Sequence, residues 1–365
     1  MTPIRTLVLG DMQAPLDTLL AVLDRHGALA GDTLRAGVHL VSVGDHVDFG
    51  DDPERAATEG ERVLDWMAAQ APERLTLLLG NHDAARVMEF AGWSDARFSA
   101  ARFGARAVHA LPAGAARDAA EAAFRACHPG VPTLDLVRRD YAGYTEGQAA
   151  RIAGLLRAGR MRLAATVRDA DGRALLVTHA GVTRRELELL VGGGWLDPAC
   201  ADDAVAVAAS LERFLDAALR RWEERAAPAH PLDLAPLYLA GVPGQEAGGL
   251  LYHRPANDDD ALRPKMDRAW ELDPARPRRY APARLPRGFS QVCGHTPHAR
   301  AWRELVGFTD GPMGSGGAVR TLVVGAAPRY VARRLPPAGP GEAHIYYVDA
   351  QPAHTPVAEV EAFEA

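Results

Sequence analysis

Five short apolar runs in this chain each end in a polar cluster, and that recurrence constrains the fold more than any other feature. Ile4 to Gly10 runs into Asp11-Met12-Gln13, and Val38 to Gly44 runs into Asp45-His46-Val47-Asp48. Leu75 to Leu79 runs into Gly80-Asn81-His82-Asp83. Later, Ala174 to Thr178 ends at His179, and Phe289 to Cys293 ends at Gly294-His295. Runs this short and this apolar suit strands buried on both faces, as in a parallel sheet. Between the first three, Leu16, Leu19, Leu20 and Leu23 share one helical face, and a second helix is expected from about Pro53 to Gln70. Strand alternating with helix predicts an α/β fold. In open α/β sheets ligands bind beyond the carboxyl ends of strands, so the five polar clusters are expected to converge.

The rhythm then changes. Residues 84–168 are rich in Ala and Arg with helical patterning and no obvious strand; helices are expected over Ala115–Cys127 and Thr145–Ala164. This stretch reads as a mainly helical insertion into a single domain spanning residues 1–365. Ala204 to Ala226 is a strong amphipathic helix. Residues 228–286 are rich in Pro and charge and are expected to be irregular, with Asp258-Asp259-Asp260 a solvated acidic run. Val319–Val324 and His344–Val348 are late strands, and the tail after Asp349 is expected to be loosely ordered.

Asp, Asn, Gln and His are hard or borderline donors suited to manganese, iron, zinc or magnesium. One Gly-Asp after an apolar run is ordinary turn chemistry. Five such ends in order point instead to a metal or catalytic site. The formal net charge is -6, which gives no general electrostatic reason to bind nucleic acid and leaves only a local basic patch open. The three cysteines form no CxxC pair and their odd number argues against a disulfide framework. No secretory signal and no apolar run near the ~18 residues that span a bilayer are seen, so a cytoplasmic protein is the default expectation.

The ordered set GD-x-Q, GD-x-x-D-x-G, GNHD, HAG and GHTP resembles the motifs of the calcineurin-like metallophosphoesterase superfamily, from Leu7 to about Pro297. The lack of a GHxH pair, with Pro297 in place of the second histidine, looks like its phosphoprotein-phosphatase and diadenosine-tetraphosphatase-like branches. The resemblance implies a four-layer α/β/β/α sandwich and two divalent metal ions, with Mn²⁺ the leading choice and iron, zinc or magnesium the alternatives. It implies that Asp11 binds the first ion, Asp45 bridges both, and Asn81, His179 and His295 bind the second. Gln13 stands where the family usually has a first-metal histidine, and an amide oxygen is a weaker donor.

The implied reaction is in-line attack of a metal-bridging hydroxide on a phosphomonoester, carried on a protein or a small molecule. His82 would meet the phosphoryl group or the leaving oxygen, with Asp48 behind its ring. His46 is expected to face solvent. Two phosphate-clamping arginines of the phosphoprotein-phosphatase pattern are absent, replaced by Phe49 and Leu79. Arg254, Arg86 and Arg184 are the candidate replacements, since a planar guanidinium fits phosphate oxygens. Those absences keep a nucleotide pyrophosphatase or phosphodiesterase open, for example one acting on dinucleoside polyphosphates. A non-catalytic metal-binding homologue is the third reading. The expected partner is a phosphorylated substrate, with no membrane and no strong nucleic-acid signal.

Overall fold

The computed structural model describes residues 4–225, 230–257 and 275–365. The first strand, β1 (Arg5–Leu9), leads into helix α1 (Leu16–Arg25), then β2 (Val38–Ser42), α2 (Pro53–Ala69) and β3 (Leu75–Leu78). Helix α2 begins sharply because the Asp52 side chain accepts the backbone N–H groups of Glu54 and Arg55, with Pro53 in the first turn. Then come α3 (Asn81–Val87), α4 (Asp95–His109), α5 (Ala115–Cys127) and α6 (Glu146–Arg157).

The helix expected over Thr145–Ala164 stops early. Gly159 takes φ +63°, the chain turns, and two strands follow within the supposed helical stretch: β4 (Met161–Arg162) and β5 (Ala164–Arg168). Next are β6 (Ala174–Thr178), α7 (Arg184–Gly192), α8 (Ala204–Glu224), β7 (Gln291–Cys293) and α9 (His298–Glu304). The chain closes with β8 (Thr309–Asp310), β9 (Arg320–Val324), β10 (Arg329–Val331), β11 (Ala343–Tyr347) and β12 (Phe363–Glu364). The Asp258-Asp259-Asp260 run lies outside the described residues.

The two large sheets have the orders β12-β1-β2-β3-β4 and β8-β10-β9-β11-β7-β6-β5, and three two-stranded sheets accompany them among the described residues. In the first, β1 through β4 are parallel; in the second, β7 lies parallel between β6 and β11. Alternation along each strand assigns the layers. Val8, Val41 and Leu78 from the first sheet pack with Val177, Val292 and Tyr346 from the second. Leu7, Leu9, Leu40 and Leu77 face the opposite way, toward Leu19, Leu23, Leu64 and Met67 of α1 and α2. On the far side, Leu211 and Phe214 of α8 share a core with Leu176, and Ala301 of α9 with Ile345. The fold is therefore an α/β sandwich, with sheets inside and helices outside.

The tail is not loose. Phe363 is fully buried, and β12 pairs antiparallel with β1 through Leu7–Glu364 and Val8–Phe363. A single aromatic anchor and a sheet edge needing a partner tie it down. The helical stretch has its own aromatic core: Phe98 stacks on Tyr144 and meets Phe90 edge to face.

Candidate metal centre

The five polar clusters meet. Asp11 follows β1, Asp45 follows β2, Asn81 and His82 open α3 after β3, His179 follows β6 and His295 follows β7. Asp11, Asp45, His179 and His295 are all buried, and one ligating atom from each lies within 4.8 Å of every other. Asn81 joins them, its Oδ1 3.2 Å from His179 Nε2. Tight turns produce this convergence. Asp45, Asp48 and His295 have φ values of 54°, 63° and 59°, a left-handed backbone that non-glycine residues seldom adopt. Gly80 must be glycine because an added Cβ would sit 2.1 Å from Asp45 Oδ1.

The donor set fits a cation. His179 Nδ1 is 2.8 Å from the Val43 carbonyl and His295 Nε2 is 2.8 Å from the Tyr252 carbonyl, so both of these nitrogens carry the proton. The two remaining nitrogens, His179 Nε2 and His295 Nδ1, then face each other 3.1 Å apart as lone pairs. Two acceptors at that distance, with Asn81 Oδ1 and Asp45 Oδ2 (3.5 Å) beside them, repel unless a positive ion lies between them. Burial disfavours a charge on either ring: it pushes His179 below its ordinary range and, with Arg254 and His179 adding to it, pushes His295 well below. Asp11 is held well above the usual carboxylate range by burial and by the charges of Asp349 and Asp45.

Beside this cluster His82 Nδ1 is 2.9 Å from Asp48 Oδ2, and its Nε2 is 3.9 Å from Asp45 Oδ2. Burial opposes a charge on the ring, but Asp45 and Asp48 outweigh it and raise the His82 pKa. Asp48 in turn is gripped by both ends of the Arg86 guanidinium and by the Gly143 N–H at 3.1 Å. Burial works against the Asp48 charge, yet Arg86 and His82 hold its carboxyl below the usual range.

Arg86 is therefore not a phosphate clamp. Its side chain is fully buried and its donors go to Asp48, the His82 carbonyl and Gln148 Oε1. Arg184 is exposed on the first turn of α7, away from these contacts. Arg254 does reach the centre: its Nε donates to the His295 carbonyl at 3.0 Å, and its charge acts on Asp11 and His295. Gln13 donates Nε2 to the Val47 carbonyl at 3.3 Å and lines, with His82, Asp48 and Arg106, a cleft of about 580 Å³.

His46 does not face solvent. It is fully buried between Ser42 Oγ and Asp83, each 2.9 Å away. Asp83 also accepts the N–H groups of Gly80, Asp45 and His46, binding the second and third turns together; burial opposes its charge, but the His46 ring and then the Gly80 and His46 N–H groups lower its pKa to about 2. The fourth residue of the GNHD sequence was visible, but its role as a backbone staple was not. Asp349, buried at the end of β11, was missed altogether.

A model of the calcineurin-like phosphoesterase family matches residues 4–137. No curated protein matches the chain. Among solved structures, a cold-active protein tyrosine phosphatase shares 13% identity and a TM-score of 0.40, over 97% of this chain and 72% of that one. A cold-active protein-tyrosine phosphatase of a psychrophilic Shewanella species shares 13% identity and a TM-score of 0.41, over 99% and 75%. Among the described residues no helix is long and apolar enough to cross a membrane. Three of the converging strand ends, those that carry Asp11, Asp45 and Asn81, lie inside the region that is similar to the calcineurin-like phosphoesterase model.

Proposed function

We propose that the chain hydrolyses a phosphomonoester, on a protein or a small molecule, with two divalent cations, Mn²⁺ foremost. Asp11 and Gln13 would hold the first ion, Asp45 would be shared, and Asn81, His179 and His295 would hold the second. The observation that carries this reading is the pair of imidazole lone pairs facing each other beside Asp45 and Asn81. When bound, such a pair of ions offsets the charge of a phosphate ester and makes the attacking water more acidic.

The protein's own groups do the rest. Arg254, fixed through Nε to the His295 carbonyl, leaves the fork end of its guanidinium to bind phosphate oxygens. His82 gives its Nδ1 proton to Asp48 as a hydrogen bond and holds a second proton on Nε2. That second proton passes to the leaving oxygen as the phosphorus–oxygen bond breaks. Arg86 and Gly143 keep Asp48 ionised and in place for this work. The cleft beside His82 accepts the leaving group.

The test is a substrate screen with the chelated and the Mn²⁺-loaded enzyme. The compounds are p-nitrophenyl phosphate, a phosphopeptide, bis-p-nitrophenyl phosphate and a dinucleoside polyphosphate. The expected result is turnover of a monoester that chelation abolishes and Mn²⁺ restores. Turnover confined to the diester or the polyphosphate would transfer the assignment to a phosphodiesterase or pyrophosphatase. No turnover of any of them would leave a non-catalytic metal-binding protein.

A further inference from the structure

The metal centre proposed above is unevenly supplied. The second ion has two neutral imidazoles and an amide oxygen, whereas the first has Asp11 and the weaker Gln13, with Asp45 shared. A further buried carboxylate stands next to the poorer side. Strands β7 and β11 are parallel neighbours with Cys293 opposite Tyr347, and His295 and Asp349 each lie two residues past that pair. The same register therefore delivers both to one end of the sheet. The Val348 N–H donates to the Cys293 carbonyl at 2.8 Å, which holds the two turns side by side.

From the other sheet, β1 closes against this turn without a gap. A Cβ on Gly10 would lie 2.0 Å from the Val348 carbonyl oxygen and 2.7 Å from Asp349 Cα, so only glycine allows the approach. Asp11, the next residue, receives the His295 N–H on its carboxylate at 2.9 Å. Asp349 thus sits where Asp11 and His295 meet, and it is only 3% exposed.

Arg320 and Arg254 offset part of a buried charge there. Arg320 donates to the Asp349 backbone carbonyl at 2.8 Å and to the Thr296 carbonyl, steadying the turn. The carboxylate itself accepts the Gln351 N–H at 3.1 Å. Gln351 has φ 45°, and the other described non-glycine residues with positive φ are Asp45, Asp48 and His295. Asp11 and Asp45 are buried as well, at 3% and 2% exposed. Three carboxylates gathered in the interior call for a cation.

We propose that Asp349 belongs to the coordination shell of the first metal ion, supplying the donor that Gln13 supplies poorly. Asp349 is not one of the four residues that meet within 4.8 Å, so it would reach the ion after a side-chain adjustment or through one water. A shell of carboxylates and an amide oxygen is a hard one, matched to manganese or magnesium before zinc. The proposal rests on the two-metal reading, and its test separates the two claims.

The experiment is Mn²⁺ titration calorimetry and thermal melting of the chelated, full-length protein as wild type, Asp349→Asn, and Asp349→Asn combined with Gln13→His. Wild type is expected to bind two equivalents. Asp349→Asn should keep one and bind the other ~10–100-fold more weakly, the usual size of a lost supporting ligand. The double variant, with an imidazole at position 13, should regain the lost equivalent. Without metal, Asp349→Asn should melt no lower than wild type, because one of three repelling carboxylates is gone; a purely structural Asp349 predicts a clear drop. Two unchanged equivalents in Asp349→Asn would overturn this inference alone, and no Mn²⁺ bound by wild type would overturn the metal centre as well. If the variant does not fold, the Mn²⁺-bound wild type decides: a carboxyl farther than one bridging water from either ion overturns the proposal.

Discussion

Asp45→Asn is expected to abolish turnover, a loss of about 10³-fold or more in kcat, beyond the ~10²–10³ that follows removal of a single stabilising donor. The local geometry dictates which way the new amide must point. Asp45 Oδ1 accepts the His82 backbone N–H at 2.8 Å, so that position must remain an oxygen. The introduced NH₂ therefore falls at Oδ2, the atom that faces His179 Nε2 at 3.5 Å. On the proposed reading, a donor at that spot would be turned toward the cations and would remove their shared ligand. The backbone contacts of Asp45 with Asp83 and Gly80 stay in place, so the fold is expected to survive. Circular dichroism alongside assays with saturating Mn²⁺ checks both halves. A folded Asp45→Asn variant with wild-type turnover contradicts the bridging role.

His82→Ala is expected to separate chemistry from metal binding. The His82 ring lies beside the four-residue cluster rather than in it, at 3.9 Å from Asp45 Oδ2. Losing the ring should lower kcat by about 10²–10⁴-fold, the range for a missing general acid, while KM and bound Mn²⁺ change little. Asp48 does not become an orphan in this variant, because Arg86 and the Gly143 N–H still satisfy it. Steady-state kinetics with metal analysis of the same preparation gives the comparison. Loss of metal, or an unchanged kcat, would show that His82 has another job. A substrate with a very good leaving group should lose less activity than one with an alkyl alcohol, since it needs less help from a proton.

The strand ends were readable because a strand buried on both faces leaves an unbroken apolar run, and the turn after it must be polar and glycine-rich. That local rule found Asp11, Asp45, Asn81, His179 and His295 without any knowledge of what pairs with what. Partnership across long sequence distances was not readable. Arg86 looks like a surface arginine until Asp48 and Gln148, 38 and 62 residues away, are seen closing around it. His46 reads as a loop histidine until Asp83 caps it. Asp349 follows an ordinary apolar strand, and nothing in its neighbourhood announces that β11 lies beside β7. The end of α6 was misjudged because Ala and Arg continue past Gly159, and propensity alone cannot see that β3 and β6 each need a further strand beside them.

The central claim is that these strand ends hold a pair of cations. The most direct measurement is a crystal structure of the Mn²⁺-loaded protein with anomalous data collected at the manganese edge. Two anomalous peaks about 3.5–4 Å apart, with Asp45 touching both and His179 and His295 on one, is the result expected. Absence of any peak among these residues, with Mn²⁺ present at millimolar concentration, would contradict it.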